Sequence, residues 1–273
     1  MSSQANKPPL YWDGTGQHAL YHPQFPRSNR YHPEWVFRNQ MGPNVLWLAE
    51  LLADSLDLQP GMRVLDMGCG RGLSSIFLAK EFGVQVWAND LWVSPTENHE
   101  RFQEAGVSEQ VFPIHAEAHV LPYAEDFFDA IFSVDAYHYF GTDQMYLGYF
   151  VRFLKVGGQL GVLVPGLHQP WPRTIPAYLT EPQGHGETFW AWDMATFKTA
   201  AWWDELWSQY PFLRLDKAAA VADGGHIWAE WERRFRAYPG DKLFPDDLDA
   251  IAADQNRYLT FIQLIGRRSD STF

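Results

Sequence analysis

The sequence predicts an α/β domain built on a doubly wound parallel sheet. Three observations carry that prediction. Short apolar runs alternate with helix-spaced segments from Met62 to Val164, the rhythm of parallel strands joined by crossover helices. A glycine-rich turn, Gly68-Cys69-Gly70-Arg71-Gly72, separates the first run from the helix after it. An acid, Asp90, closes the second run, 22 positions after Gly68.

The elements follow in order. Up to about Gln40, Pro8, Pro9, Pro23, Pro26 and Pro33 exclude a long helix. The same stretch holds Tyr11, Trp12, Tyr21, Phe25, Tyr31, Trp35 and Phe37, too many aromatics for a disordered tail. Residues 1–42 are therefore expected to pack on the domain, as a strap or as a lid over a pocket. Residues 43–273 are expected to form one domain. Apolar residues at helical spacing predict a helix from about Pro43 to Leu58, and Pro60-Gly61 ends it. Strands are predicted at Met62–Met67, Val84–Ala88, Val111–His115, Phe128–Ser133 and Gln159–Val164, with helices after Gly72, at Glu97–Ala105 and at Gln144–Leu154. Beyond Pro165 the rhythm breaks. Residues of about 166–200, rich in Pro, Gly and His, read as an insertion. A helix at Trp202–Gln209, a strand at Phe212–Val221, helical stretches within about 226–256 and a last strand at Tyr258–Gly266 complete the chain.

Composition excludes several classes. With 21 Lys+Arg against 33 Asp+Glu over 273 residues, the net charge is −12, which argues against broad contact with nucleic acid or with an anionic membrane. The single cysteine, Cys69, forms no internal disulfide and suits a reducing compartment. Residues Met1 to Leu10 show no basic stretch leading into an apolar run, and no window approaches eighteen apolar residues, so neither a secretory leader nor a membrane span is expected. A cytoplasmic location is the expectation. The ten histidines are scattered without H-E-x-x-H or C-x-x-C spacing, and no metal site is expected.

The chemistry lies in Val64-Leu65-Asp66-Met67-Gly68-Cys69-Gly70-Arg71-Gly72 and Asp90. Glycines between a strand and a helix let backbone approach a ligand closely, and the helix start offers free N–H groups. An acid at the end of the second strand can accept both hydroxyls of a ribose. The spacing is G-x-G-x-G with a carboxylate two residues ahead, not the G-x-G-x-x-G of a pyrophosphate site. A carboxylate there repels phosphate and suits a cationic amino group, which points away from NAD and toward S-adenosylmethionine (SAM).

With these residues in view, the sequence resembles the class I SAM-dependent methyltransferases. V-L-D-x-G-C-G-x-G at Val64–Gly72 is similar to their first motif. Ala116-Glu117-Ala118-His119-Val120-Leu121-Pro122-Tyr123 followed by Phe128-Asp129-Ala130-Ile131 resembles their G-D-A-x-x-L-P-F … F-D-x-V stretch, and Leu154-Lys155-Val156-Gly157-Gly158 their L-K-P-G-G turn. The resemblance covers about Pro60 to Val164. Glu117 stands where the family usually has Asp, and Val156 where it has Pro.

The resemblance implies a Rossmann-like, seven-stranded sheet whose last strand is antiparallel, a helical insertion after the fifth strand, and an enzyme moving a methyl group from SAM to the O, N or C atom of a small-molecule acceptor. It implies that Asp66, Gly68, Gly70 and Gly72 surround the methionine end, that Asp90 binds the ribose, that Leu91 and Trp92 pack on the adenine, and that Glu117 and Ala118 meet its edge. Ligands in such sheets sit beyond the C-terminal strand ends, so Asp135 and His138, after the fourth strand, are the candidates for acceptor binding or proton removal. Tyr31, Tyr137, His168, Trp171 and Arg173 are further candidate acceptor contacts, with His185 a weaker one. The aromatic residues outside the sheet, Trp228 and Trp231 among them, line an acceptor pocket for an apolar or cationic molecule or fill a helical core. Alternatives are a SAM-dependent enzyme of other chemistry, such as cyclopropane lipid formation or modification of SAM, and a SAM-binding module without catalysis.

Overall fold

A computed structural model describes residues 7–270. Residues 1–6, the start of both the 1–42 segment and the stretch read as leaderless, lie outside the described residues, as do 271–273. The chain builds one mixed sheet. Strands β1 (Arg63–Met67), β2 (Gln85–Asp90), β3 (Val111–His115), β4 (Phe128–Val134), β5 (Leu154–Leu167), β6 (Lys198–Thr199), β7 (Leu213–Ala220) and β8 (Leu259–Arg268) alternate with helices α1 (Pro33–Asn39), α2 (Val45–Ala53), α3 (Leu73–Phe82), α4 (Pro95–Glu104), α5 (Tyr146–Val151), α6 (Ala177–Thr180), α7 (Ala200–Trp207), α8 (Gly224–Ala237) and α9 (Leu248–Asp254). The strand order is β3-β2-β1-β4-β5-β8-β7. Strands β1 to β5 pair in parallel, and β8 runs antiparallel to both β5 and β7. This is the seven-stranded, doubly wound layout with an antiparallel last strand. Two-residue β6 adds an eighth strand against the end of β5.

Local chemistry explains the elements. β1 is apolar or buried along almost its whole length, as a central parallel strand covered on both faces must be. α3 starts at Gly72 and ends at Gly83, both in the left-handed region, where glycine carries no Cβ penalty. α4 starts at Pro95 behind Ser94, whose hydroxyl accepts from the Glu97 N–H. The first forty residues, where prolines exclude a long helix, hold a short one: Pro33 opens α1, and the His32 ring caps it, since proline is tolerated at a first helical position. β5 starts five residues before the predicted Gln159, because the pairing jumps from Phe128↔Leu154 to Ala130↔Gln159 and a bulge absorbs the Gly157-Gly158 turn. The insertion after β5 is mostly irregular, with one turn of α6 and a 3₁₀ turn at Trp192–Thr196. Its Pro and Gly content accounts for the shortage of helix.

Two apolar cores flank the sheet. One gathers Phe25, Tyr31, Trp47, Trp231 and Phe235. The other gathers Tyr137, Tyr146, Phe150, Trp203 and Trp207. The N-terminal segment reaches across the first. Phe25 stacks on Trp47 at 5.2 Å between ring centroids, and Phe37 stacks on Trp231 at 5.4 Å and Tyr238 at 4.5 Å. Glu50 of α2 fastens it: this 1 % exposed carboxylate accepts from the Arg27 N–H at 2.9 Å and from the Ser28 N–H and hydroxyl at 2.7 Å each. Among the described residues no helix is long and apolar enough to cross a membrane.

Replacing Glu50 with Ala leaves the Arg27 and Ser28 N–H groups without acceptors, while the Ser28 hydroxyl keeps the Leu46 carbonyl, at a cost of about 1–3 kcal/mol for each unsatisfied group. Glu50→Ala should lower unfolding stability by a few kcal/mol on that scale, measured by urea titration. A loss under about 0.5 kcal/mol, the usual effect of a surface change, would refute the anchor.

Candidate functional site

A cavity of about 620 Å3 opens at the C-terminal ends of β1, β2 and β4. One half is built by the glycine-rich turn. Gly68 and Cys69 donate their N–H groups to the Asn89 carbonyl at 2.9 and 3.1 Å, which folds the turn after β1 onto the end of β2. Gly70 then donates to Asp90 Oδ2 at 2.8 Å. The other oxygen of Asp90 accepts from Trp92 and Val93 N–H at 2.7 and 2.9 Å. One carboxylate therefore sets the shape of both loops and still faces the cavity. Gly68 and Gly70 have φ of 78° and 52°. A Cβ on Gly68 would lie 2.2 Å from Ala136 Cβ, so the turn can abut the β4 loop only as glycine.

Asp66 stands behind this turn. It is 1 % exposed; Oδ2 accepts from the Ser74 and Ser75 hydroxyls at 2.6 Å each, and Oδ1 has no partner. Burial pushes its carboxyl up to about 6, against the pull of the two serines. Gly72 does not line the cavity; a Cβ there would lie 2.4 Å from the Phe102 ring, so it serves the packing of α4 and the start of α3. Leu91 and Trp92 line the cavity mouth and are exposed. Glu117 and Ala118 line the same half. The Glu117 carboxylate holds the His119 N–H at 2.9 Å and its ring nitrogen at 2.8 Å, and this hydrogen bond keeps its pKa below the ordinary value. Cys69 is buried, and burial pushes its thiol well up, which makes it a packing residue rather than a nucleophile.

The other half is walled by four separate stretches: the end of the N-terminal segment at Asn39–Pro43, the loop after β4, the insertion, and α8 with the turn before α9. Asp135 belongs here and faces the cavity. Of the other acceptor candidates, His185 also lines it and the remaining six do not. His138 is 1 % exposed, lies outside the cavity wall and has an unpartnered Nδ1; burial pulls its pKa down to about 3, so it stays neutral and is a poor proton acceptor near pH 7. Tyr137 is fully buried among Trp203, Trp207 and Phe150. Tyr31 is fully buried and donates to Glu81 Oε1 at 3.0 Å. His168 bonds Asn256 Oδ1 at 2.9 Å, Trp171 stacks on Tyr258 and donates to the Met194 carbonyl at 3.2 Å, and Arg173 is exposed on the surface. None of the three lines the cavity. All six are corrected from acceptor contacts to packing or surface residues.

In their place the cavity takes Glu187, Phe189 and Asp193 from the insertion, Trp228, Trp231 and Glu232 from α8, and Asp247, with His185 beside them. Trp228, Trp231 and Phe235 share one face of α8, spaced as i, i+3 and i+7. Glu232 lies beside them, 5 % exposed; it accepts from Trp228 Nε1 at 3.2 Å and from the Asp247 N–H at 3.0 Å. No group of three or more metal-ligating side chains occurs among the described residues.

Comparison with known proteins places this geometry. A methyltransferase domain family matches residues 64–158. Methyltransferase GfsG of Streptomyces halstedii is 30% identical over 116 residues, 42% of this chain and 42% of that protein. Among solved structures, the [4+2]-cyclase SpnF superposes with a TM-score of 0.64 at 19% identity, covering 82% of each chain. Geranyl diphosphate C-methyltransferase from Streptomyces coelicolor A3(2), solved with Mg2+, geranyl diphosphate and S-adenosyl-L-homocysteine, superposes at 0.60 with 17% identity, covering 81% of this chain and 78% of that one. The match spans about two fifths of the length of the first curated relatives, 42% and 43%. Residues 64–158 thus match a methyltransferase domain, and the strand order gives the chain the fold of the SAM-dependent methyltransferases.

Proposed function

We propose that the chain binds SAM against the glycine-rich turn and directs its methyl group to a small-molecule acceptor held in the aromatic half of the same cavity. The carrying observation is the Asp90 carboxylate bonded to Gly70 N–H and open to the cavity. Three carboxylates, Asp66, Asp90 and Glu117, stand at or behind this half, which repels a pyrophosphate and suits a ligand with an ammonium, a sulfonium and a ribose. The orphaned Oδ1 of Asp66 also fits a cationic ligand rather than a phosphate. Asp66 and Gly68 would hold the methionine end, Asp90 the ribose hydroxyls, and Leu91, Trp92, Glu117 and Ala118 the adenine. SAM, when bound, supplies a methyl group already activated on a sulfonium.

The chain's remaining task is orientation. The β4 loop meets the turn at the Gly68–Ala136 contact, which supports a position for Asp135 beside the methionine end. The N-terminal segment acts as a strap: Glu50 fixes its middle, and residues 39–43 wall the acceptor side. Such walls exclude water and hold the acceptor near its attack position.

S-adenosylhomocysteine at 100 times its dissociation constant should stabilise the fold by about 2.7 kcal/mol, a rise in Tm of roughly 5–10 °C for a domain of this size, while NAD gives none. Asp90→Ala should abolish the shift. A shift with NAD alone, or an undiminished shift in Asp90→Ala, would defeat the reading.

Glu232 sets a second expectation. Burial pushes its carboxyl up to about 8, with Asp247 adding repulsion. Its folded pKa therefore exceeds its unfolded one, and between pH 4.5 and 8 the folded state binds the extra proton. Stability contributed by the protonated form is full below the unfolded pKa and is lost as pH rises to the folded one. Wild type should lose on the order of a few kcal/mol relative to Glu232→Gln between pH 5 and 8, by urea midpoints. Parallel curves for the two proteins would contradict the assignment.

A further inference from the structure

We propose that the acceptor is an organic amine with an apolar body, bound as its ammonium ion between Asp135 and Asp193. This inference rests on the methyl-transfer reading above and deepens it.

Asp135 follows β4 with φ of 56°, and its N–H donates to the Leu163 carbonyl at 2.9 Å. The residue is half-buried and the cavity opens onto it. A Cβ on Gly42 would fall 1.9 Å from Oδ2, so the end of the N-terminal segment closes directly over it. No hydrogen-bond donor among the described residues reaches this carboxyl. Its charged neighbour is Asp193, of the same sign, and burial first and that repulsion second hold its pKa well above the usual carboxylate range. Asp193 Oδ1 is itself buried without a partner. Two carboxyls on one cavity wall without donor or counter-charge, one of them with a buried oxygen, carry a repulsion and desolvation cost that a cation placed between them relieves.

The surroundings fit the same occupant. Every ionisable group in this half other than His185 and the tyrosine phenol is acidic: Asp135, Glu187, Asp193, Glu232 and Asp247. Arg71 is the one Lys or Arg lining the cavity, and its guanidinium donates to the Arg38 carbonyl at 2.8 Å. A phosphate-bearing acceptor would meet five carboxyls and no cation beside it. Phe189, Trp228, Trp231 and Tyr139 give the wall its aromatic surface, which suits an apolar body and an ammonium together.

Asp135 adjoins Ala136, which touches Gly68, so the anchored nitrogen lies at the reacting end. The ammonium gives one proton to the Asp135 carboxylate. The freed lone pair forms the N–C bond as the sulfonium C–S bond breaks, its electron pair staying on sulfur; the products are a methylated ammonium and a neutral thioether.

The test is calorimetric titration of the whole protein saturated with S-adenosylhomocysteine, using 2-phenylethylamine and tryptamine against 2-phenylethanol and phenyl phosphate. The amines should bind at least about tenfold tighter than the alcohol, the strength of a charge-assisted contact, and phenyl phosphate should not bind. Asp193→Asn, which keeps the shape, should weaken the amines by about tenfold or more while S-adenosylhomocysteine binds as in wild type. Amines that fail to bind, an alcohol or phosphate that binds as well, or an Asp193→Asn protein with unchanged amine affinity would overturn the amine assignment and leave the methyl-transfer reading intact. Failure of wild type to bind S-adenosylhomocysteine would overturn both.

Discussion

One carboxylate holds the architecture of the site together. Asp90 takes N–H groups from Gly70, Trp92 and Val93, and so joins the loop after β1 to the loop after β2. Hydrogen bonds to an ionised acceptor are among the stronger polar contacts, and here one residue supplies three. The turn around it requires glycine at 68 and 72, because side chains there would strike Ala136 or Phe102. Everything the cavity can hold in that half depends on this tie.

The other half of the cavity is assembled differently. Its groups come from a strap, a strand-end loop, an irregular insertion and α8, which the two apolar cores and the Glu50 anchor bring to one place. Trp231 serves both purposes: one side of the ring packs against Phe37 and Phe235, and the residue also lines the cavity. Carboxyls collect where the fold has excluded water, with pKa values raised by burial at Asp135, Glu232 and Asp247. Groups perturbed in this way are candidates for functional sites.

Much of this was legible in the sequence, for a physical reason. Buried parallel strands are continuous apolar runs, and a turn that approaches a ligand must be glycine, so both are written locally. Asp66, Gly68, Gly70 and Asp90 could be named before any coordinates. The opposite side of the cavity is written non-locally. His138 is three residues from Asp135, yet the 3₁₀ turn at Tyr137–Tyr139 sends it into the core while Asp135 faces the cavity. Tyr31 and Tyr137 looked like ligand contacts because aromatic residues serve cores and pockets alike. Asp193 and Asp247 carry no local signal at all. Glu232 did carry one: a carboxylate four residues after Trp228, beside the apolar face of α8, is a buried charge in need of an explanation.

The most direct measurement of the central claim is a crystal structure with S-adenosylhomocysteine bound. The account predicts the ribose hydroxyls on Asp90, the amino acid end over Gly68 in front of Asp66, and the sulfur facing the Asp135–Ala136 loop. A ligand seated away from the Gly68–Gly72 turn, or a turn that binds with Asp90 facing solvent, would contradict it.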